Sequence, residues 1–238
     1  MSSTRIIDRG LKDYQSMLNL QENAFQDLLA GTGNDTIFIV EHPPVITLGA
    51  RNSANKLSKD EDTIKKDGIE IFQIRRGGGT TAHNPGQLVI YPIINLKKYS
   101  LGVSDFVHTL EKIGIEFLAE LGVNCCTKKG FPGLWIPAHG CVLNDVLRLT
   151  QPIRASQPQP FYVTDKKIAS IGIQIKKWIT CHGMAININN DLSIFDLIVP
   201  CGLENVKMTS VQKELGRTIN MDDAKKILKK ILLKYFTG

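Results

Sequence analysis

Two residues far apart in the chain, Lys167 and Cys201, have the types and surroundings that nucleophilic chemistry needs. Lys167 opens the run Lys-Ile-Ala-Ser-Ile-Gly over 167–172, and Cys201 lies in Val-Pro-Cys-Gly-Leu over 199–203. A free thiol has a pKa of about 8.5 and attacks well at neutral pH only when a neighbouring cation or base helps remove its proton. Lys167 is a candidate for either role. Pro200 fixes the approach to Cys201 and Gly202 leaves space beyond it, which suits an aimed thiol, although cysteine is as much at home as an inert core residue. Lys167 has a competing reading as an ordinary surface lysine, the reading given to Lys166. A third block, Arg76-Gly77-Gly78-Gly79-Thr80-Thr81, follows a strand pattern and is flanked by Arg75 and His83. Three successive glycines permit positive φ and close backbone approach, so amides there could hold a carbonyl or phosphate oxygen. A plain hairpin turn is the competing explanation. The block is neither a Walker A nor a GxGxxG sequence, which leaves nucleotide binding unsupported. Thiol, lysine and amide-rich loop together are equipment for acyl transfer through a cysteine thioester.

These groups need a scaffold. Apolar residues at Leu11, Tyr14, Leu18, Phe25, Leu28 and Leu29 predict an amphipathic helix over 11–29, broken by Gly31 to Asp35. Thr36–Val40 is β-branched and ends at His42-Pro43-Pro44; Val45–Leu48 resumes extended structure. Residues 59–67 are charged and read as surface helix or loop. Strands are expected over 69–74 and 87–94, with the glycine block between them, and again over 168–175 and 184–188. Ser104-Asp105 looks like the cap of a helix from Phe106 to Leu121, stopped by Gly122. A last helix is expected over 221–236, capped by Asn220, with Ile227, Leu228, Ile231 and Leu232 as its apolar stripe. Strands and helices mix without regular βαβ alternation, which predicts an α/β (α+β type) fold with a mixed β-sheet flanked by helices. Residues 138–160 have loop composition and are read as an insertion within one domain spanning 1–238.

The 238 residues fit one large domain, and 42% hydrophobic with 22% charged residues is ordinary globular composition. No stretch approaches the ~20 apolar residues of a membrane span, and the N-terminal residues carry no signal or transit pattern. A cytoplasmic, bacterial-type setting is expected, with the mitochondrial matrix as the alternative. Five cysteines, an odd number without a CxxC pair, argue against a disulfide framework. Cys141 near His139 and Cys181 beside His182 match no standard zinc spacing, so no metal or other cofactor is expected. The net charge of +6 rests on scattered lysine pairs with few aromatics, which disfavours nucleic-acid binding. It is read either as a solvated surface or as steering of acidic protein partners.

Taken together, the blocks resemble the lipoyl(octanoyl) transferases. The likeness rests on Arg76 to Pro92, which reads RGGGTTAHNPGQLVIYP, on Gly133-Leu134-Trp135, on Lys167 to Gly172, on His182-Gly183-Met184-Ala185-Ile186-Asn187, and on Pro200-Cys201-Gly202. It spans nearly the whole chain except 138–160. Ala82 and Asn84 stand where the family often has an aromatic residue and a glycine. The resemblance implies a fold like the biotin/lipoate protein ligase catalytic domain and a two-step transfer. Cys201 would attack the thioester of octanoyl-acyl carrier protein, and Lys167 would lower the thiol pKa and shuttle the proton. The acceptors it implies are lysines of lipoyl domains in 2-oxoacid dehydrogenase complexes and in the glycine cleavage H protein. Substrate would contact Arg76, Gly77, Gly78, Gly79, Thr80, Thr81, Ala82 and His83 of the loop, then Ser170, Ile171 and Gly172, with Gly183, Met184 and Ala185 lining the pocket. Three other readings stay open: an ATP-dependent lipoate or biotin ligase, a non-catalytic binder of carrier proteins, and a cysteine hydrolase using Cys201 and His182.

Overall fold

The computed structural model describes residues 4–138, 165–199 and 206–236. Along these the elements run β1 (Arg5–Leu11), α1 (Tyr14–Ala30), β2 (Thr36–Glu41), β3 (Val45–Leu48), α2 (Glu61–Lys66), β4 (Glu70–Gln73), β5 (Thr81–His83), β6 (Gln87–Ile93), α3 (Val103–Glu120), β7 (Gly133–Ile136), β8 (Lys166–Lys176), β9 (Ile179–Asn187), β10 (Lys207–Met208), α4 (Val211–Leu215) and α5 (Met221–Phe236). The larger sheet has the order β1-β2-β6-β9-β8-β10, with β7 also paired to β8; the smaller is β4-β3-β5. The pairs β1–β2 and β8–β10 are parallel and the other pairs of the larger sheet antiparallel. The sheet is therefore mixed, as the irregular element order predicts.

Side-chain alternation sorts the core into two layers. Ile37 and Ile39 of β2 and Leu88 and Ile90 of β6 pack with Phe106, Leu110 and Phe117 of α3 and with Leu228 and Leu232 of α5. Phe38 and Val40, with Val89 and Tyr91, face the other way and meet Met17 and Phe25 of α1. With helices on both faces, β6 is buried at every position, and each fully buried large apolar side chain contributes about 1.5–3 kcal/mol. A third cluster joins Ile46 of β3 to Ala82, Ile64 of α2 and the turn at Ile194 and Phe195, which roofs the smaller sheet.

Several boundaries differ from the sequence expectation. Leu11 belongs to β1 and is 60% exposed, and helix α1 starts at Tyr14 because Asp13 caps it by accepting from Ser16 N. Helix α3 starts at Val103 rather than Phe106. Its cap is Gly102, and Asp105 serves from inside the first turn, its Oδ2 accepting Gly102 N at 3.0 Å. At the C-terminal helix Asn220 caps as expected, accepting from Asp223 N at 3.1 Å. Strands β1, β5, β7 and β10 were not anticipated, and β9 begins five residues earlier than read, at Ile179 rather than Met184. Short strands carry too little periodicity to stand out, and Thr-Cys-His-Gly interrupts the apolar pattern of β9. Among the described residues no helix is long and apolar enough to cross a membrane.

Candidate active site

The glycine block is not a hairpin turn. It joins β4 to β5, which do not pair with each other but flank β3 on either side, β4 parallel and β5 antiparallel. The connection must pass over the end of β3, and it is pinned there by Arg76. This buried guanidinium donates from Nε and Nη2 to Thr47 Oγ1 at 3.2 and 2.7 Å, from Nη2 to Thr47 O at 2.8 Å, and from Nη1 to Gly77 O at 3.1 Å. Gly77 N then donates to Ile173 O of β8 at 2.8 Å, which docks the smaller sheet onto the larger. Gly78 has φ +85, and a Cβ at Gly79 would lie 2.2 Å from Ala54 O, so both positions need glycine. Thr80 is fully buried and its Oγ1 accepts Lys56 N at 2.9 Å. Thr81, Ala82 and His83 form β5, buried throughout, opposite Thr47, Ile46 and Val45.

Two blocks distant in sequence meet in register. Ser170, Ile171 and Gly172 on β8 stand opposite Ala185, Met184 and Gly183 on β9. Gly172 also receives the loop, because a Cβ there would lie 2.8 Å from Gly77 O and 3.0 Å from Arg76 Cδ. On the far side of β9, a Cβ at Gly183 would lie 2.1 Å from Ile90 O. Loop, β8 and β9 are thus in contact through backbone, with no side chains between them.

Lys167 is two per cent exposed and sits at the other end of β8. Five residues of strand separate it from Gly172, about 16 Å along the backbone. It pairs with Trp135 of β7 and with Met208 of β10, and its carbonyl accepts Thr209 N at 2.9 Å. Its Nζ lies 5.0 Å from the centre of the buried Trp135 ring. Its Cε packs where a Cβ at Gly133 would stand, 2.9 Å away; Gly133 has φ +123 and is the strand partner of Ser170. Burial of Lys167 corrects the surface-lysine reading. Lys166 points the other way and pairs with Glu214 at 2.5 Å.

A hydrogen-bond chain ties the loop to this lysine. His83 Nδ1 meets Gln87 Oε1 at 2.6 Å, Gln87 Nε2 donates to Asn187 Oδ1 at 2.9 Å, and Asn187 Nδ2 donates to Thr209 O at 2.9 Å. Because Gln87 uses its nitrogen towards Asn187, its oxygen accepts, so His83 carries its proton on Nδ1. Burial, with smaller contributions from His42 and the Arg76 guanidinium, pushes His83 down to about 3. Burial and Arg76 likewise push His182 down to about 4. Both rings are neutral at pH 7. His182 has φ +59, and its backbone N donates to Gln21 Oε1 at 2.9 Å. Burial also pushes the Cys181 thiol up to about 12, so it is not an activated nucleophile.

Asn84, the family departure, holds the turn after β5: its Nδ2 donates to Asp191 O at 2.7 Å and its Oδ1 accepts from Asn190 at 3.1 Å. Thr47, Gln87, Asn187, Thr209 and Glu111 do not stand out in the sequence as site residues, because each works through a partner remote in the chain. Cys201, with Pro200 and Gly202, lies outside the described residues, as do His139, Cys141 and residues 139–160 of the insertion. Before Cys201 in the chain, Val199 N donates to Lys56 O at 3.1 Å; after it, Lys207 and Met208 of β10 pair with Lys166 and Lys167. Ala138 and Asp165 are joined at 2.9 Å between Ala138 N and Asp165 Oδ1, and Asp165 also pairs with Lys128.

Residues 13–233 match the model of the lipoyl protein ligase A/B catalytic domain. The octanoyltransferase of Maridesulfovibrio salexigens is 32% identical over 231 residues, covering 97% of this chain and 95% of its own length. That of Nitratidesulfovibrio vulgaris is 34% identical over 232 residues, covering 97% and 94%. Among solved structures, a bipartite lipoate protein ligase from Thermoplasma acidophilum superposes with a TM-score of 0.63 at 14% identity, over 99% of this chain and 84% of its own. A lipoate-protein ligase A bound with ATP gives 0.61 at 15% identity, over 98% and 85%. At such identities these two establish the fold. The sheet order, the docked glycine loop and the sequence matches lead to one conclusion: the chain belongs to the lipoyl protein ligase A/B catalytic domain family, grouping there with the octanoyltransferases, and it is an acyltransferase.

Proposed function

We propose that this enzyme moves an octanoyl group from octanoyl-acyl carrier protein to the acceptor lysine of lipoyl domains, through a thioester on Cys201. The observation that carries the reading is Lys167. It is a fully buried lysine in a strand interior, held against Gly133 and Trp135. A lysine enclosed this way is costly unless it is used or paired, and it lies on the strand that also receives the glycine loop at Gly172 and Ile173.

In the first half-reaction the Cys201 sulfur bonds to the acyl carbon and the bond from that carbon to the carrier sulfur breaks. Lys167, as the neutral amine, takes the thiol proton and passes it from the resulting ammonium to the departing carrier thiolate. In the second, the neutral amine of the acceptor lysine attacks the same carbon, Cys201 leaves as thiolate, and Lys167 takes the proton shed by the acceptor nitrogen and returns it to the Cys201 sulfur. Amides at Gly77–Thr81 and around Ser170–Gly172 hold the acyl group and its oxyanion, an interaction typically worth a few kcal/mol. Met184 and Ala185, paired across from Ile171 and Ser170, line the chain-binding side. The acceptors are lipoyl domains of 2-oxoacid dehydrogenase complexes and the glycine cleavage H protein, and the setting is the cytoplasm.

Intact mass after incubation with octanoyl-acyl carrier protein tests the reading. Wild type gains one octanoyl adduct that hydroxylamine removes, and Cys201→Ala gains none. A folded wild type that takes no adduct from an intact donor, yet acylates a lipoyl domain when given ATP and free acid, would overturn it in favour of ligase chemistry.

A further inference from the structure

Helix α3 turns a carboxylate inward. Glu111 is 4% exposed and lies on the buried face with Leu110, Ile113 and Gly114. A leucine would fill such a position at no desolvation cost, so a glutamate there needs partners. Its Oε1 faces Gly133 N at 3.4 Å and its Oε2 accepts from His108 Nδ1 at 3.1 Å. Gly133 is also the residue against which the Lys167 stem packs, its absent Cβ making room for Lys167 Cε at 2.9 Å. Glu111 and Lys167 therefore converge on one glycine from two layers of the fold. His108, with its side chain 46% exposed, forms the outer end of the array.

We propose that Glu111 is the positioning residue of Lys167: its carboxylate holds the amine end of the side chain beside Gly133, and His108 anchors that carboxylate from the solvent side of α3. The inference rests on the role given to Lys167 above. Electrostatics agree with the geometry. Burial raises Glu111 above the usual carboxylate range, and His108, the Gly133 amide and the Lys167 charge all act to keep it ionised. Gly133 is tied as well: its φ is +123 and a Cβ there would lie 2.3 Å from Ala169 O, so no side chain fits. Glycine there sets both the lysine stem and the donor that Glu111 receives.

The test uses the full chain, octanoyl-acyl carrier protein and a lipoyl domain, with the variants Glu111→Gln, Glu111→Asp, Lys167→Met and the double variant E111Q/K167M. Replacing the carboxylate by a neutral amide removes its charge from beside the Lys167 side chain and lowers kcat for E111Q by about 10- to 100-fold. KM for the donor stays within about twofold, because Glu111 touches no substrate, and E111D falls between E111Q and wild type. In the Lys167→Met background, followed by single-turnover mass spectrometry over hours, E111Q lowers the residual rate no further. A kcat for E111Q within about twofold of wild type, or an equal loss in both backgrounds, overturns the inference while leaving the role of Lys167 intact. Wild-type rates in Lys167→Met alone overturn the parent reading and this one with it. Should E111Q not fold, E111D carries the test: a lowered kcat at unchanged KM supports the inference, and a wild-type kcat refutes it.

Discussion

The buried histidines His42, His83 and His182 are held uncharged by their burial. His42 and His182 are each pushed down to about 4 and His83 to about 3, burial being the leading cause in all three. Their folded-state values lie below the ordinary 6.5, so below pH 6.5 the unfolded chain binds more protons than the folded one. Their contribution to stability is complete above pH 6.5 and is lost as pH falls towards 4. Each histidine contributes a slope of about 1.4 kcal/mol per pH unit in that window. Glu111, whose folded value is raised by burial, acts in the opposite sense. Urea unfolding at pH 7.5 and 5.5 is therefore expected to show a clear loss of stability at the lower pH. Equal midpoints would mean that these rings are hydrated in solution. The residue types at His83 and His182 are legible as candidates in the sequence. Their neutrality is not, because it comes from α1, the Arg76 guanidinium and one another. The same holds for Lys167: sequence places it at the start of an apolar strand, and β7, with Gly133 and Trp135, does the burying.

At the scale of elements, glycines set how closely the strands and the loop approach. Gly79, Gly172 and Gly183 each stand where a methyl group would meet backbone atoms within 3 Å. Gly183 is the most central, facing Ile90 O and, at 2.8 Å, the Pro92 ring. Gly183→Ala must push β9 off β6, and overpacking of that kind costs about 1–3 kcal/mol or more. The shift also disturbs the pairing of Gly183 with Gly172 beneath the loop. A drop in unfolding midpoint together with reduced acylation is expected, measured by thermal unfolding and by the octanoyl mass adduct. An unchanged midpoint would show that the sheet absorbs the methyl group. Strands β2, β6 and β8 are legible because their apolar runs are dense. The route of the glycine block over β3 is not, because nothing local states that β4 and β5 lie on opposite sides of the same strand. The tight β8–β9 turn goes against local preference: Lys177 and Trp178 have φ of +51 and +68, a conformation that favours Asn and Gly. It is held from outside by Leu96 N, which donates to Trp178 O at 2.8 Å.

For the whole molecule, the net charge of +6 is the property most exposed to solvent conditions. Some lysines are paired, as Lys225 with Glu41 at 3.0 Å and Lys234 with Glu116 at 2.9 Å, and the more exposed Lys234 pair adds little to stability. Under the proposed function, the remaining excess would attract an acidic carrier or lipoyl domain at long range. Raising ionic strength from about 0.01 to 0.15 M shortens the screening length from about 30 to 8 Å. kcat/KM for the carrier substrate should fall over that range while kcat holds. A salt-independent kcat/KM would remove steering from the account and return the lysines to a solvated surface.

By itself the sequence determined the family blocks, the mixed α/β architecture and which residues are candidates for the chemistry, because residue type and local periodicity are local properties. Tertiary structure decided what those residues become. Pairing of β8 with β9 put Ser170–Gly172 opposite Gly183–Ala185, and docking of Gly77 on Ile173 joined two sheets. Burial beneath β7, with Trp135 and Gly133 against the side chain, enclosed Lys167 where the sequence alone allows a surface lysine. Burial and charge environment are sums over neighbours that the chain brings together only on folding, so no local pattern encodes them.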